Sequence, residues 1–199
     1  MDLEDYRTAF MVVSLALILI VVFPVVSLVV PFPSGVERFS ELWVLGPNHM
    51  AGDYPFNVTV NEEYHVFVGV GNHMGYSARY MVCVKFRNRT QPLPNMLNSK
   101  SSPLSPLYEF QAFVADGATW EVPVTFAFLE VSRFDNSCLI RRMSINDVVF
   151  WVDSPSSWDS ENSGFYYQLL FELWLYNVTS QSFQFHNRFV GIWLNVTAS

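Results

Sequence analysis

From Ala9 to Val30 the chain runs 22 residues without a charge, AFMVVSLALILIVVFPVVSLVV. At about 1.5 Å per residue, a helix of that length spans roughly 33 Å, enough for a hydrocarbon core of about 30 Å. Lipid offers backbone amides no partner, so a lone segment of this kind must cross as a helix. The run is apolar on every face, which argues against a helix that buries one face in a soluble core. Pro24 should bend the helix or mark its last turns, and Pro31 and Pro33 end it. The preceding flank carries Asp2, Glu4 and Asp5 against Arg7, and no small-x-small cleavage site follows, so an uncleaved anchor is expected rather than a signal peptide. The organisation expected is a cytoplasmic tail over 1–8, a transmembrane helix over 9–30 in the lipid bilayer, a linker and lead-in over 31–55, and an outer domain over 56–199.

Lysine and arginine are nearly balanced at the two ends of the run, so orientation rests on sequons. Asn57, Asn88, Asn177 and Asn195 each open an N-x-T triplet, the acceptor pattern for N-linked glycans on an outward-facing domain. Asn136-Ser137-Cys138 is a weaker fifth because its third residue is cysteine. The location expected is therefore the cell membrane, single-pass, with the C-terminal domain extracellular.

Beyond Pro31 the recurring pattern is period-two alternation, the mark of strands with one buried face. It runs through Phe56-Val58-Val60, Tyr64 to Val70, Tyr80 to Phe86, Trp120 to Phe128, Phe165 to Tyr176 and Arg188 to Val196. Shorter candidates are Tyr108–Val114, Leu139–Ile145 and Val148–Val152, the last two joined by Asn146-Asp147, a pair suited to a tight hairpin turn. About nine strands in some 160 residues give the spacing of a β-sandwich. The fold class expected is all-β, an immunoglobulin-like sandwich preceded by the single helix. Alternation sets Asn57 and Asn195 on polar faces and puts Asn88 and Asn177 at strand ends, so all four acceptors are expected to be exposed. The proline-rich segment from Asn88 to Pro106 cannot join a ladder and reads as a long solvated crossover, with a partner-binding loop as the alternative.

Candidate chemistry is sparse. With 11 Lys+Arg against 18 Asp+Glu, the net charge of -7 excludes a phosphate-reading face and hence nucleic acid. Cys83 and Cys138 are the only thiols, and outside the cell they could pair, although spacing cannot supply the geometry a bridge requires. His49, His65, His73 and His186 lack metal-ligand spacing, and Asp159, Glu161 and Asn162 form only a fragment of a calcium loop. Gly69, Gly71 and Gly75 precede no helix and so make no phosphate cradle; they suit a strand end and a turn. No cofactor or metal is expected and no catalytic set stands out. The aromatic load, 18 Phe, 9 Tyr and 6 Trp, is the remaining signal. Trp174, Tyr176 and Trp193 crowd the last two strands. Phe165 to Tyr176 is apolar on nearly both faces, which fits either a central strand covered twice or an exposed aromatic face for sugar or protein.

At these residues the chain resembles an archaeal membrane-anchored family, domain of unknown function 1616. The resemblance is carried by Asp5-Tyr6-Arg7, Phe39-Ser40-Glu41-Leu42, Leu45-Gly46-Pro47, Tyr54-Pro55 leading into Asn57-Val58-Thr59-Val60, Glu62-Glu63-Tyr64, Gly69-Val70, Asn72-His73, Trp120-Glu121 and the strand Phe189 to Val196. Asn61 stands where such sequences often have glycine, and asparagine tolerates the same turn. The resemblance implies an N-terminal membrane segment and an outward immunoglobulin-like domain, and it implies no activity. The function expected is a non-enzymatic structural or accessory protein of the cell envelope that engages other surface or membrane proteins, itself included. A carbohydrate-binding module built on the C-terminal aromatics is the first alternative, and a membrane-tethered hydrolase the weaker one.

Overall fold

The computed structural model describes residues 3–29 and 37–196. They fall into two units, Met1–Glu37 and Arg38–Ser199. The first holds one helix, α1 (Leu3–Val29). Its side chains are described from Tyr6 to Val22, and these are exposed all around the helix apart from the half-buried Ser14. They cover about 26 Å of rise, and among the described residues no helix is long and apolar enough to cross a membrane. Val30 and the linker residues 31–36 lie outside the described residues.

The second unit is all-β. Its strands are β1 (Phe39–Leu45), β2 (Asn57–Val58), β3 (Glu63–His73), β4 (Ala78–Asn88), β5 (Tyr108–Val114), β6 (Thr119–Phe134), β7 (Ser137–Ile145), β8 (Val148–Ser157), β9 (Tyr166–Asn177) and β10 (Ser182–Val196). They form two five-stranded sheets, ordered β1-β3-β6-β7-β8 and β2-β10-β9-β4-β5. Every pairing is antiparallel except the two-residue contact of β2 with β10. One core lies between the sheets, built from Val66, Val68, Val124, Phe126, Phe128, Ile140 and Met143 on one side and Val82, Val84, Tyr167, Leu169, Phe171 and Leu194 on the other. These are the alternating positions of the sequence, because a side-chain period of two delivers every second residue to the same face.

Two turns follow local chemistry. Asn146 (φ 46°) and Asp147 (φ 65°) both take left-handed conformations and close the β7–β8 hairpin at Ile145↔Val148. Asn61 does the same at φ 62°.

Three expectations need correction. Residues 39–45, assigned to the linker and lead-in, form edge strand β1. Its partner β3 makes room for it: a Cβ at Gly69 would overlap the Trp43 indole, and one at Gly71 would crowd the Glu41 carboxylate. Gly69 and Gly71 therefore seat a neighbouring strand, and only Gly75 (φ 77°) serves a turn. The outer face of β4 is not solvated, since Cys83, Lys85 and Arg87 are all buried. The segment 89–107 packs on Lys85 and Arg87, pinned to the sheet through buried Ser102 rather than crossing freely through solvent.

Candidate functional site

The outer face of the second sheet divides into a covered half and an open corner. In the covered half, Lys85 Nζ and Glu172 Oε2 form a 2.8 Å ion pair that is essentially sealed from water. Glu172 Oε1 accepts the Ser102 amide at 2.8 Å and Lys85 donates to the Ser102 carbonyl at 2.8 Å, so one residue of the crossover satisfies both charges. Arg87 holds the start of the crossover by donating to the carbonyls of Arg89 and Gln91, and it donates to Gln168 Oε1 at 2.7 Å across the sheet. Cys83 lies opposite Glu172 in the ladder; burial, then the nearby Glu109 carboxylate, pushes its thiol up to about 12.

At the open corner, Phe56, Tyr166 and Trp193 line a cleft of about 340 Å³ with Arg89, Asp159 and Asn162. Trp193 is 40% exposed and Phe56 46%. The Phe56 and Tyr166 rings lie 6.0 Å apart, and the Arg87 guanidinium backs the Trp193 ring at 5.7 Å. The polar rim is built by the loop between β8 and β9. There Asp159 Oδ1 accepts the amides of Glu161 and Asn162, while Oδ2 accepts Asn162 Nδ2 and pairs with Arg89. Asp159 is thus committed to shaping its own loop, and among the described residues no group of three or more His, Cys, Asp or Glu could hold a metal ion. A larger groove of about 680 Å³ adjoins across the Arg89–Asp159 pair and contains Trp158, which stands edge-on to Phe165 at 5.1 Å.

The matching family model decides the relationship: it is described as Domain of unknown function (DUF1616) and covers residues 33–133. The chain belongs to this family. Phe56 and Arg89 fall within the part of the DUF1616 protein that the model covers, whereas Asp159, Tyr166 and Trp193 lie beyond it. No curated protein matches. Among solved structures, the DUF1616 protein is similar to a beta-glucosidase from Listeria innocua in complex with glucose, at 13% identity and a TM-score of 0.36. The match covers 82% of this chain and 17% of that one. A second structure of the same enzyme gives 13% identity, a TM-score of 0.38, and coverage of 82% and 16%. The chain therefore spans about a sixth of the length of these structures.

The structure separates the residues that the sequence grouped. Trp193 pairs with Gln168 and Trp174 with Phe185, which puts the two indoles about 20 Å apart along β9. Trp174 is half-buried, with the Phe185 ring edge-on at 6.0 Å and Lys85 Nζ at 6.0 Å from its ring. Tyr176 is half-buried between Phe183 and Arg79. Only Trp193 of the three reaches the cleft.

The acceptor asparagines divide as well. Asn57 is exposed and Asn177 half-exposed. The other two correct the expectation of exposure, as Asn88 and Asn195 are each only 8% exposed. Asn88 Nδ2 donates to the Pro155 carbonyl at 2.7 Å, while its Oδ1 accepts the amides of Thr90 and Gln91. Asn195 Nδ2 donates to Asn57 Oδ1 at 3.1 Å and its Oδ1 accepts the Phe165 amide. Thr197, the last residue of that fourth triplet, lies outside the described residues. The disulfide expectation is corrected too. Both thiols are free, because Cys138 faces the core between the sheets and Cys83 the outer side of the second sheet, with that sheet between them.

Sequence reasoning missed a polar cluster at the other end of the sandwich. Ser40 Oγ lies 2.6 Å from Tyr80 Oη and 3.0 Å from His186 Nε2, and Tyr80 donates to Asn72 Oδ1 at 2.9 Å. Burial, with a smaller contribution from Arg188, lowers the His186 pKa and favours the neutral ring. Ser40 is 2% exposed, so the serine and histidine tie β1 to β4 and β10 and present no nucleophile to solvent. These residues come from four strands, β1, β3, β4 and β10, and no linear motif joins them.

Proposed function

We propose that this protein is a non-enzymatic recognition domain of the cell envelope, held on a membrane by α1 with its immunoglobulin-like β-sandwich facing outward. The archaeal, membrane-anchored character belongs to the same reading, and its support is the charge-free run from Ala9 to Val30. The observation that carries the recognition role is the cleft of Phe56, Tyr166 and Trp193, where exposed aromatic faces meet a polar rim. Flat apolar faces beside hydrogen-bonding groups suit a saccharide, whose ring carries C–H faces and a hydroxyl edge. The domain then serves as an accessory module that docks envelope glycans.

Full-length protein made in a host without N-glycosylation and titrated against neutral hexose oligosaccharides should bind, and Trp193→Ala should weaken binding at least tenfold. Equal binding by the variant would sink the cleft as the contact.

A second reading, engagement of another surface protein, is favoured by β8. Among the described residues this strand borders its sheet with no further strand on its outer edge, and it exposes Val149 (49%) and Trp151 (67%), surface to which a partner strand could add.

A further inference from the structure

We propose that Asn57 and Asn177 carry N-linked glycans while Asn88 and Asn195 do not, and that the Asn57 glycan occupies the protein's own aromatic cleft. This rests on the outward-facing, saccharide-accepting reading given above. Transfer forms a bond from the asparagine Nδ2 to the anomeric carbon of a lipid-pyrophosphate-linked oligosaccharide. The sugar–phosphate bond breaks, lipid pyrophosphate leaves and the amide loses one proton. The reacting nitrogen must therefore be reachable. At Asn88 and Asn195 that nitrogen is spent on a hydrogen bond inside a nearly buried side chain. At Asn57 the interior contact falls on Oδ1 instead, and the side chain is exposed.

The position of Asn57 sets where its sugar goes. Phe56, one wall of the cleft, is its chain neighbour, and the Phe56 carbonyl accepts the Asn195 amide. Asn57 pairs with Asn195 on β10, and Asn195 pairs with Tyr166 on β9. Neighbouring strands lie about 4.8 Å apart, so Tyr166 sits roughly 10 Å from Asn57, within the reach of two sugar rings. Trp193 lies two residues before Asn195 on the same outer face. A tether this short supplies an effective concentration in the mM range, enough to fill a weak saccharide site without free ligand. Asn177 lies instead at the far end of β9, on a separate cleft of about 370 Å³ with Tyr76, Tyr176 and Phe185, and its amide nitrogen donates to Gln184 Oε1 at 3.2 Å.

Glycopeptide mapping of the full-length protein from its native membranes should find sugar at Asn57 and Asn177 and bare asparagine at 88 and 195. Limited periodate oxidation should then consume the Asn57 sugar at least threefold more slowly in the wild-type protein than in Trp193→Ala or Phe56→Ala. Sugar on Asn88 or Asn195, a bare Asn57, or equal oxidation in wild type and both variants would each overturn the proposal. Oligosaccharide binding by glycan-free protein tests the preceding reading separately. A cleft that binds free sugar but does not protect the Asn57 glycan refutes only the internal seating.

Discussion

Trp174 and Trp193 project from the same face of the same sheet on adjacent strands, yet they occupy different environments. Around Trp174 the crossover folds down on the sheet, Lys85 and Glu172 lose their water, and the indole is half-buried against Phe185. Around Trp193 the crossover has already left the sheet, and Arg87 anchors its departure while supporting the indole from behind. Alternation cannot distinguish the two, because it assigns a face and says nothing about what lies on that face. The covered half spends its polar groups on fixing a loop, whereas the open corner keeps aromatic surface for a ligand.

The sharpest way to break the contrast is at the buried ion pair. Glu172→Ala leaves the Lys85 ammonium sealed without a counter-charge and the Ser102 amide without an acceptor, and should cost about 3–5 kcal/mol. Urea unfolding of the full chain, followed by tryptophan fluorescence, reads this as a shift in midpoint at unchanged slope. Replacing both partners, Lys85→Met with Glu172→Leu, removes the stranded charge and should fall within about 2 kcal/mol of the wild-type protein. If the double variant is as unstable as the single one, then loss of the loop anchor, rather than an uncompensated charge, governs this half. Next in size is Trp174→Ala. A fully buried tryptophan costs about 3–5 kcal/mol on truncation, so this half-buried ring should cost about 2 kcal/mol by the same measurement.

The strand pattern was legible because both sheets have one apolar face, so that Trp120 to Phe128 and Val190 to Val196 announce themselves. The hairpin at Asn146-Asp147 was legible because few residue pairs accept two consecutive left-handed conformations. Strand β1 was harder to see, since much of what specifies it stands on β3, where Gly69 and Gly71 leave space for Trp43 and Glu41. The site was legible in part. Trp193 was named from aromatic crowding, but its neighbours in the cleft come from the residue before β2, the start of the crossover, the β8–β9 loop and the first residue of β9. Asn88 and Asn195 carry the same triplet as Asn57, and only their hydrogen-bond partners, distant in sequence, set them apart. The crossover read as solvated for a related reason: it is proline-rich and polar, with no apolar pattern to betray that it packs on Lys85 and Arg87.

The smallest effect tests whether the open corner is surface kept for a ligand. Trp193 exposes 40% of its area, so truncation removes less buried apolar surface than at Trp174. It also removes the contact with Arg87, 5.7 Å from the ring, worth about 0.5–1 kcal/mol. Arg87 itself stays in place, because Gln168 and the carbonyls of Arg89 and Gln91 hold its guanidinium without help from the indole. Trp193→Ala should therefore lower unfolding stability by about 1–2 kcal/mol, less than Trp174→Ala, while abolishing most saccharide affinity. A loss as large as that of Trp174→Ala would show that Trp193 belongs to the packing of the sandwich, and the distinction between the two halves of this face would fail at the residue that defines it.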